Sequence, residues 1–310
     1  MQTILGAGGI IGNELAKALT KYTQNIKLVS RNPKKVNDND ILFAADLTNF
    51  SSVNEAVKGS DVAYLTAGLT YDHEVWKKNW PIIMENTINA CLENNCRLVF
   101  FDNIYLYAGE NLDPIKESNR INPPSKKGEI RAEIVQMIWD AVDQKGLSAV
   151  IARCADFYGP SIKNSSLLNE TVFKPLREGK TANWLVSDNY KHSFTYTVDA
   201  GKATALLGNT LEAYGETWHL PTAKNPLTGK EWVETIAKEL GVKTKYRTVS
   251  KTMVKLIGIF VPVMRESYEM LYQYDKDYVF NSDKFDIRFS FKTTTYLEGI
   301  KEIIKTDFKT

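Results

Sequence analysis

Three glycines spaced three residues apart, Gly6, Gly9 and Gly12, stand close to the start of the chain. A tight turn at Gly6 uses a backbone conformation that glycine adopts freely, and the missing Cβ at Gly9 lets a phosphate approach the backbone. Gly12 lets the following helix pack close to the preceding strand. The spacing therefore predicts a cradle for the pyrophosphate of a dinucleotide, and a glycine-rich turn without a ligand is the alternative.

The residues on both sides of the glycines favour the first interpretation. Ile4 and Leu5 end an apolar run that is typical of a buried strand, and helical periodicity begins at Asn13. In a strand, turn and helix of this order, the N–H groups of the first helical turn and the helix dipole attract phosphate. The residues predicted to contact the pyrophosphate are Gly6, Gly8, Gly9, Ile10, Ile11 and Gly12.

The second strand, predicted at 26–29, ends next to Ser30 and Arg31. An NAD site usually places an acidic residue here for the ribose hydroxyls, whereas a hydroxyl and a guanidinium suit the 2′-phosphate of NADP. We therefore predict NADP rather than NAD as the cofactor. A solvated arginine before a turn is the alternative interpretation.

Apolar runs and helical patterns alternate through much of the chain. Further strands are predicted at 41–45, 61–65, 97–101, 147–152 and 217–220, and helices at 53–57, 81–92, 125–142 and 198–207. The alternation predicts an α/β fold with a Rossmann-type, doubly wound parallel sheet and right-handed crossovers. Thr66, Ala67 and Gly68 follow the strand at 61–65, and such small residues suit the edge of a nucleotide crevice.

After residue 160 the pattern changes to short helices, mixed strands and many aromatic residues. We predict a nucleotide-binding domain over 1–160 together with about 196–221, and a smaller C-terminal substrate lobe over about 161–195 and 222–310.

Composition restricts the expected partners. Lys+Arg 39 against Asp+Glu 37 gives a formal charge of +2, which offers no basic field for nucleic acid or a membrane, so a small-molecule substrate is expected. The three cysteines and three histidines lack metal-ligand spacing, and reduced buried thiols are typical of a cytoplasmic protein. The apolar stretch at 253–264 is too short to cross a bilayer. It is interpreted as a homodimer contact or a lid.

Five short motifs are distributed over much of the chain. They are Gly6-x-x-Gly9-x-x-Gly12, Asp46-Leu47, Thr66-Ala67-Gly68, Arg153-x-x-Asp156-x-Tyr158-Gly159-Pro160, and His192-Ser193-Phe194 through Val198-Asp199-Ala200. Together they resemble the extended branch of the short-chain dehydrogenase/reductase family, which includes sugar-nucleotide epimerases and dehydratases. The resemblance implies a nicotinamide cofactor, with Asp46 and Leu47 near its adenine, and a substrate lobe after Tyr158.

The catalytic pattern of that family is altered. Members carry a serine at the end of the fifth strand and a Tyr-x-x-x-Lys on the next helix, where the tyrosine is the acid/base. The matching positions here hold Asn103, Lys127 and Arg131. The resemblance is therefore to atypical members, which include both reductases and cofactor-sensing regulators.

The residues at these positions still allow proton chemistry. Asn103 can donate a hydrogen bond to a carbonyl oxygen. Lys127 and Arg131 are four residues apart and therefore lie on one helical face. A lysine that is shielded from water beside a second cation can act as acid or base, and Lys127 is also expected to contact the cofactor. The alternative is that Lys127 belongs to a solvated helix start. Tyr105 and Tyr107 are predicted to point to the same side of the strand end. One of them supplies the phenol that the altered motif lacks, and packing in the core is the alternative.

Candidate substrate contacts come from the same motifs. They are Asp102, Asp156, Tyr158 and His192, with a structural role, such as holding Arg153, as the alternative for the two carboxylates. Candidates for a substrate wall, with packing in the core as the alternative for each, are Trp76, Trp80, Trp184, His192, Tyr272 and Tyr274. Two functions are predicted. The first is an NADP-dependent oxidoreductase or epimerase/dehydratase-like enzyme that acts on a small carbonyl or sugar-nucleotide substrate. The second is a catalytically silent regulatory protein that senses NADP(H).

Overall fold

The computed structural model describes residues 1–162 and 166–308. Their strands are β1 (Gln2–Leu5), β2 (Ile26–Ser30), β3 (Ile41–Ala44), β4 (Val62–Leu65), β5 (Arg97–Asp102), β6 (Ala149–Arg153), β7 (Phe157–Tyr158), β8 (Ala182–Leu185), β9 (Thr195–Tyr196), β10 (Thr217–His219) and β11 (Tyr246–Val249). Their α-helices are α1 (Ile10–Leu19), α2 (Phe50–Val57), α3 (His73–Glu93), α4 (Lys126–Lys145), α5 (Lys174–Arg177), α6 (Thr197–Gly208), α7 (Gly229–Leu240), α8 (Lys251–Ile257), α9 (Pro262–Ser267), α10 (Asp283–Phe289) and α11 (Tyr296–Asp307).

The described residues form two compact units. The first comprises 1–107, 121–154 and 198–220, and the second comprises the described residues of 108–120, 155–197 and 221–310. Two segments, 108–120 and 155–160, lie in the second unit, although they fall within the predicted nucleotide-binding domain.

The first unit is built on one seven-stranded sheet. Its strand order is β10-β6-β5-β4-β1-β2-β3, and every neighbouring pair is parallel. Sequential strands move outward in one direction from β1 and in the other from β4, so the carboxyl ends of these two strands flank the point where the order reverses. This topology confirms the predicted Rossmann-type α/β fold.

Helix α3 begins eight residues earlier than the predicted start at 81. The side chain of Asp72 caps it, accepting hydrogen bonds from the backbone N–H groups of Glu74 (2.9 Å) and Val75 (3.1 Å). Pro81 lies inside the helix. The predicted start was wrong because proline is most typical of the first helical turn, and here the aspartate cap sets the start instead.

The second unit is organised around aromatic side chains. Tyr158 packs against Trp232 (ring centroids 5.4 Å apart) and Tyr296 (6.0 Å), and Trp232 packs against Phe194 (5.1 Å). Two small parallel sheets, β7 with β9 and β8 with β11, belong to this unit. Helices α7 and α11 each begin with a threonine–glutamate capping box, which satisfies N–H groups of the first turn.

Three observations concern both units within the described residues. Cys91, Cys96 and Cys154 are buried and form no disulfide with one another. Within 1–162 and 166–308, no helix combines the length and apolar character needed to cross a membrane. The same residues contain no cluster of three or more His, Cys, Asp or Glu side chains that could hold a metal ion.

Candidate functional site

The glycine turn after β1 has the backbone that a phosphate cradle requires. Gly6 and Gly8 have φ values of +91° and +101°, which side-chain-bearing residues rarely adopt. A Cβ at Gly6 would overlap the backbone of Ala67, whereas a Cβ at Gly9 would meet no atom within 4 Å. A Cβ at Gly12 would lie 3.3 Å from the Cα of Ala7, in agreement with close packing of helix and strand. Gly8 is therefore a second position that needs glycine.

The start of α1 suits an anion. Gly9 is the N-cap residue, it supplies no side-chain cap, and the first turn contains no acidic residue. Gly8 and Gly9 are exposed and Ile10 is half-buried, while Ile11 is buried. Backbone N–H groups at this end are thus accessible, and the positive end of the helix dipole supports them. These residues fit the phosphates of a dinucleotide.

The ends of β2 and β3 carry the residues predicted to bind the adenosine part. Ser30 is the last residue of β2, and Arg31 after it is exposed. The carboxylate of Asp46 accepts hydrogen bonds from the N–H (2.9 Å) and hydroxyl (2.8 Å) of Thr48. These bonds, with a smaller contribution from the nearby charge of Arg31, lower the pKa of Asp46. Leu47 is buried.

Thr66, Ala67 and Gly68 continue from β4 at the point where the strand order reverses. The N–H of Thr66 donates to the carbonyl of Leu5 at 2.9 Å, which ties this segment to the end of β1. Thr66 and Ala67 are half-buried and Gly68 is exposed. The structure thus brings the predicted small residues and the glycine turn together.

The last residues of three neighbouring strands form a charged row. Asp102 of β5 is in register with Arg153 of β6, and Arg153 is in register with His219 of β10. The carboxylate of Asp102 accepts from Arg153 Nε at 3.0 Å and from Arg131 Nε at 2.8 Å and Nη2 at 2.6 Å. Arg153 Nη1 donates to the Tyr107 hydroxyl at 2.7 Å, and that hydroxyl is 2.8 Å from His219 Nε2.

The contacts of Asp102 in this row agree with the structural alternative that was predicted for it. Its side chain is buried between two guanidinium groups, as in the alternative role of holding Arg153. Burial by itself would lower the pKa of Arg153, but the charges of Tyr107 and Asp102 and their hydrogen bonds outweigh it and raise that pKa. Arg153 therefore remains cationic inside the first unit.

Arg131 belongs to the same network. Its guanidinium also lies over the rings of Trp80 (4.6 Å) and Phe100 (4.8 Å), so its surroundings are a buried carboxylate and two aromatic faces. The helical position that matches the family lysine therefore carries a cation neutralised by Asp102.

Lys127 is fully buried, with 0% of its surface exposed, and its Nζ lies 4.6 Å from the ring centroid of Tyr71. Tyr71 packs edge-on against Trp76 (5.9 Å), and Trp76 stacks on Tyr105 (6.4 Å, 16° between planes). A Cβ at Gly128 would overlap the carbonyl of Tyr105, so the start of α4 packs directly on this residue. Lys127 is therefore covered by the same aromatic group to which Tyr105 belongs.

Tyr105 and Tyr107 lie in different surroundings, and the strand alternation behind their predicted orientation ends before them. Strand β5 ends at Asp102, so the alternation of side chains along a strand does not extend to either tyrosine. Tyr107 is buried against Arg153 and His219, whereas Tyr105 is half-buried. Its backbone N–H donates to Asn103 Oδ1 at 3.0 Å, which leaves the NH₂ group of Asn103 as the donor of that amide.

In the second unit, Asp156 and His192 form a hydrogen-bonded pair. His192 Nε2 is 3.1 Å from Asp156 Oδ2, which also accepts from the Tyr274 hydroxyl at 3.3 Å. The imidazole is stacked between Tyr274 and Tyr278, each with a centroid separation of 4.4 Å. The carboxylate remains 23% exposed, whereas the histidine is buried, so Asp156 is the accessible member of the pair. Tyr158 lies in the aromatic core of this unit.

Sequence reasoning missed two participants. His219 follows no catalytic motif, and its signal is its place at the end of an edge strand in register with Arg153. Tyr71 lies in the connection between β4 and α3, and no local pattern indicates its cation–π contact.

Comparison with known proteins identifies proteins to which this chain is similar. The model of the NAD dependent epimerase/dehydratase family matches residues 3–219. Cinnamoyl-CoA reductase 1 of Petunia hybrida is 28% identical over 280 residues, which cover 81% of this chain and 82% of that protein. Two solved structures share the fold at 15% identity. One is dTDP-glucose 4,6-dehydratase from Streptomyces venezuelae with NAD and TYD bound, at a TM-score of 0.81, covering 98% of this chain and 96% of the other. The second is UDP-glucose 4-epimerase from Thermus thermophilus in complex with NAD, at a TM-score of 0.78, covering 99% of this chain and 98% of the other.

Proposed function

Because the chain belongs to the NAD dependent epimerase/dehydratase family, and is thus an NAD(P)-dependent enzyme of the extended short-chain dehydrogenase/reductase class, we propose that it interconverts a carbonyl and an alcohol with NADP as cofactor. Its substrate is a small carbonyl compound or a sugar nucleotide. The observation that carries this proposal is the half-buried Tyr105 next to Asn103, directly after β5 of a sheet whose glycine turn fits a dinucleotide.

The cofactor would be held by the glycine turn, the start of α1 and the residues after β2 and β4. When bound, a nicotinamide supplies or accepts a hydride. Arg31 is proposed to bind the 2′-phosphate, since it is exposed and a guanidinium forms charge-assisted bonds with phosphate. Asp46 near it would bind hydroxyl or amino groups of the adenosine part.

Tyr105 is proposed as the general acid and base. A group that exchanges a proton with substrate must be reachable, and Tyr105 is half-buried while Lys127 has no exposed surface. The amide NH₂ of Asn103 would donate a hydrogen bond to the substrate oxygen, as the family serine does. Neighbouring hydrogen-bond donors of this kind stabilise the negative charge that develops on the oxygen.

Lys127 would act on this site as a fixed cation. Its ammonium lies behind Tyr71 in a cluster that continues through Trp76 to Tyr105. A buried positive charge favours negative charge on a nearby tyrosine oxygen. Lys127 is therefore proposed to position and stabilise the site without contacting substrate.

The two units are proposed to divide the work. The first, with the parallel sheet, is proposed as the nucleotide-binding domain and the second as the substrate lobe. The half-buried carboxylate of Asp156 is proposed to bind a hydroxyl of the substrate. Buried cysteines that form no disulfide with one another support a location in the reducing cytoplasm.

A substrate screen tests the proposal. The purified protein is incubated with NADPH and a panel of aldehydes, ketones, coenzyme A thioesters and keto-sugar nucleotides, and loss of NADPH absorbance is recorded, while isomerisation of sugar nucleotides is followed chromatographically. We expect turnover with at least one class. If every class is inert and NADP⁺ and NADPH bind with very different affinities, the enzyme proposal fails and the sensing function takes its place.

Removal of the Arg31 side chain tests the cofactor choice. Loss of a charge-assisted phosphate contact is expected to weaken NADPH binding about 10- to 100-fold in Arg31→Ala, with NADH binding nearly unchanged. Calorimetric titration with both cofactors measures the difference. Lys34→Ala, which removes another exposed cation from the same loop, is the matched control and should change NADPH binding little. An equal loss for NADH and NADPH in Arg31→Ala would contradict NADP preference.

A further inference from the structure

The second unit exposes an apolar hairpin that the proposed function does not use. Helices α8 and α9 and the turn between them carry seven large apolar side chains at the surface. These exposed residues, called the apolar tip below, are Met253, Leu256, Ile257, Ile259, Phe260, Val261 and Val263. Phe260 is 85% exposed and Ile259 is 68% exposed. Contiguous exposed apolar surface of this kind marks an interaction site far more often than a scattered apolar residue does.

The hairpin is a packed structure and holds the apolar tip outward. Val254 on α8 is fully buried, and Glu266 on α9 is also buried. A Cβ at Gly258 would lie 2.9 Å from the Cα of Arg265, so the two helices approach closely where this glycine lies. Ser250 caps α8 by accepting from the N–H of Met253 at 3.2 Å. The exposed residues are therefore displayed by local packing that fixes their position.

The exposed charged residues of the segment that leads into and through the apolar tip are basic, while Glu266 after it is buried. Between residues 241 and 265 the sequence contains six basic residues and no acidic residue, in a chain whose total charge is nearly balanced. The basic residues are Lys243, Lys245, Arg247, Lys251, Lys255 and Arg265. Lys251 is paired with Asp275 at 2.5 Å, and the remaining five are exposed. Lys255 lies within α8 and Arg265 within α9, so positive charge lies on both sides of the tip.

Apolar side chains flanked by cations match the surface of an anionic lipid bilayer. Such a segment inserts its aromatic and aliphatic residues at the boundary between headgroups and acyl chains, while lysine and arginine contact the phosphates. A second copy of this chain is disfavoured as the partner, because two cationic faces would repel each other. We infer that the apolar tip and its flanking cations dock the protein peripherally on an anionic membrane surface.

Vesicle binding tests this inference on the full chain. The protein is sedimented with vesicles of phosphatidylcholine alone and of phosphatidylcholine mixed with phosphatidylglycerol. We expect binding to the mixed vesicles that weakens as salt is added, because the electrostatic part is screened. Binding that is absent, or equal for the two vesicle types, would overturn the inference.

Variants at exposed positions identify the contact. Ile259→Ser/Phe260→Ser should reduce vesicle binding at least about tenfold by removing the inserted side chains, and each of Lys255→Glu and Arg265→Glu should reduce it about fivefold or more. Ile287→Ser is the matched control, since Ile287 is 82% exposed on α10 of the same unit and lies outside the tip. Thermal unfolding and NADPH titration of each variant confirm that the fold is intact.

Two outcomes would refute the membrane assignment. Equal loss of binding in Ile287→Ser would mean that general surface hydrophobicity, and not the tip, causes binding. A concentration-dependent dimer that Ile259→Ser/Phe260→Ser converts to a monomer, without vesicle binding by either form, would identify a second copy of the chain as the occupant. Failure of the substrate screen leaves this test unaffected, because vesicle binding is measured without turnover.

Discussion

Replacing Asp102 with asparagine is expected to lower the free energy of unfolding by about 3–5 kcal/mol. The carboxylate is buried between the guanidinium groups of Arg131 and Arg153, at 2.6 and 2.9 Å. The substitution keeps the size of the side chain and removes its charge, so two buried cations lose their counter-charge together. Urea unfolding followed by circular dichroism measures the change from the shift in midpoint at constant slope.

Two further variants separate the ion network from a general effect of losing a carboxylate. Glu170→Gln removes one member of the surface pair with Lys174 and should scarcely shift the midpoint, because exposed pairs contribute little. Asp102→Asn/Arg131→Met removes one of the unpaired cations and should recover part of the loss, which a double-mutant cycle quantifies. A single variant Asp102→Asn that unfolds at the wild-type urea concentration would contradict the structural role of Asp102.

The features that sequence predicts best are those set by neighbours in the chain. The glycine turn, the apolar strands and the alternation of strand and helix depend on local backbone preference and periodicity. Together they predicted the parallel sheet and the succession of strands and helices along the chain, but not the order of strands in the sheet. The start of α3 was mispredicted because two local signals compete: Asp72 caps a helix, and Pro81 usually begins one. The structure resolves the competition in favour of the cap.

The charged row depends on contacts that periodicity does not encode. Tyr107 meets His219 across 112 positions of sequence, and Asp102 meets Arg153 across 51. Once the strand order is known, however, the register of β5, β6 and β10 places Asp102, Arg153 and His219 in one row. Topology is thus the missing step, because neighbouring strands carry side chains that only the sheet brings together.

Net charge likewise conceals a local feature. The formal charge of +2 predicts no attraction to a membrane, yet all six charged residues between 241 and 265 are basic. Electrostatic attraction to a surface acts over about 10 Å at ordinary salt, so the local sum governs docking and the total does not. From the sequence alone, the segment that contains Phe260 was interpreted as a dimer contact or a lid. The structure shows that Phe260 and its neighbours are exposed, so apolar side chains accompany the basic residues at the surface.

Tyr105→Phe is expected to lower kcat for the best substrate of the screen by about 10²–10⁴-fold, the usual contribution of a positioned general acid. The phenyl ring retains the stacking on Trp76, so the substitution removes the hydroxyl and little else. NADPH affinity should be unchanged, because the hydroxyl is proposed to act on the substrate. Stopped-flow measurement of a single turnover isolates the chemical step from product release.

Tyr107→Phe is the matched control, since it removes a hydroxyl two residues further along the same loop. That hydroxyl accepts from Arg153 and contacts His219 inside the first unit, so its loss should cost about 1–3 kcal/mol of stability while the single-turnover rate stays near wild type. Lys127→Met should slow the chemical step, because it removes the positive charge that lies behind Tyr71. A wild-type single-turnover rate in Tyr105→Phe, together with complete loss of turnover in Lys127→Met, would assign proton transfer to the lysine. That assignment would require Tyr71 to move aside during turnover, because its ring covers the ammonium.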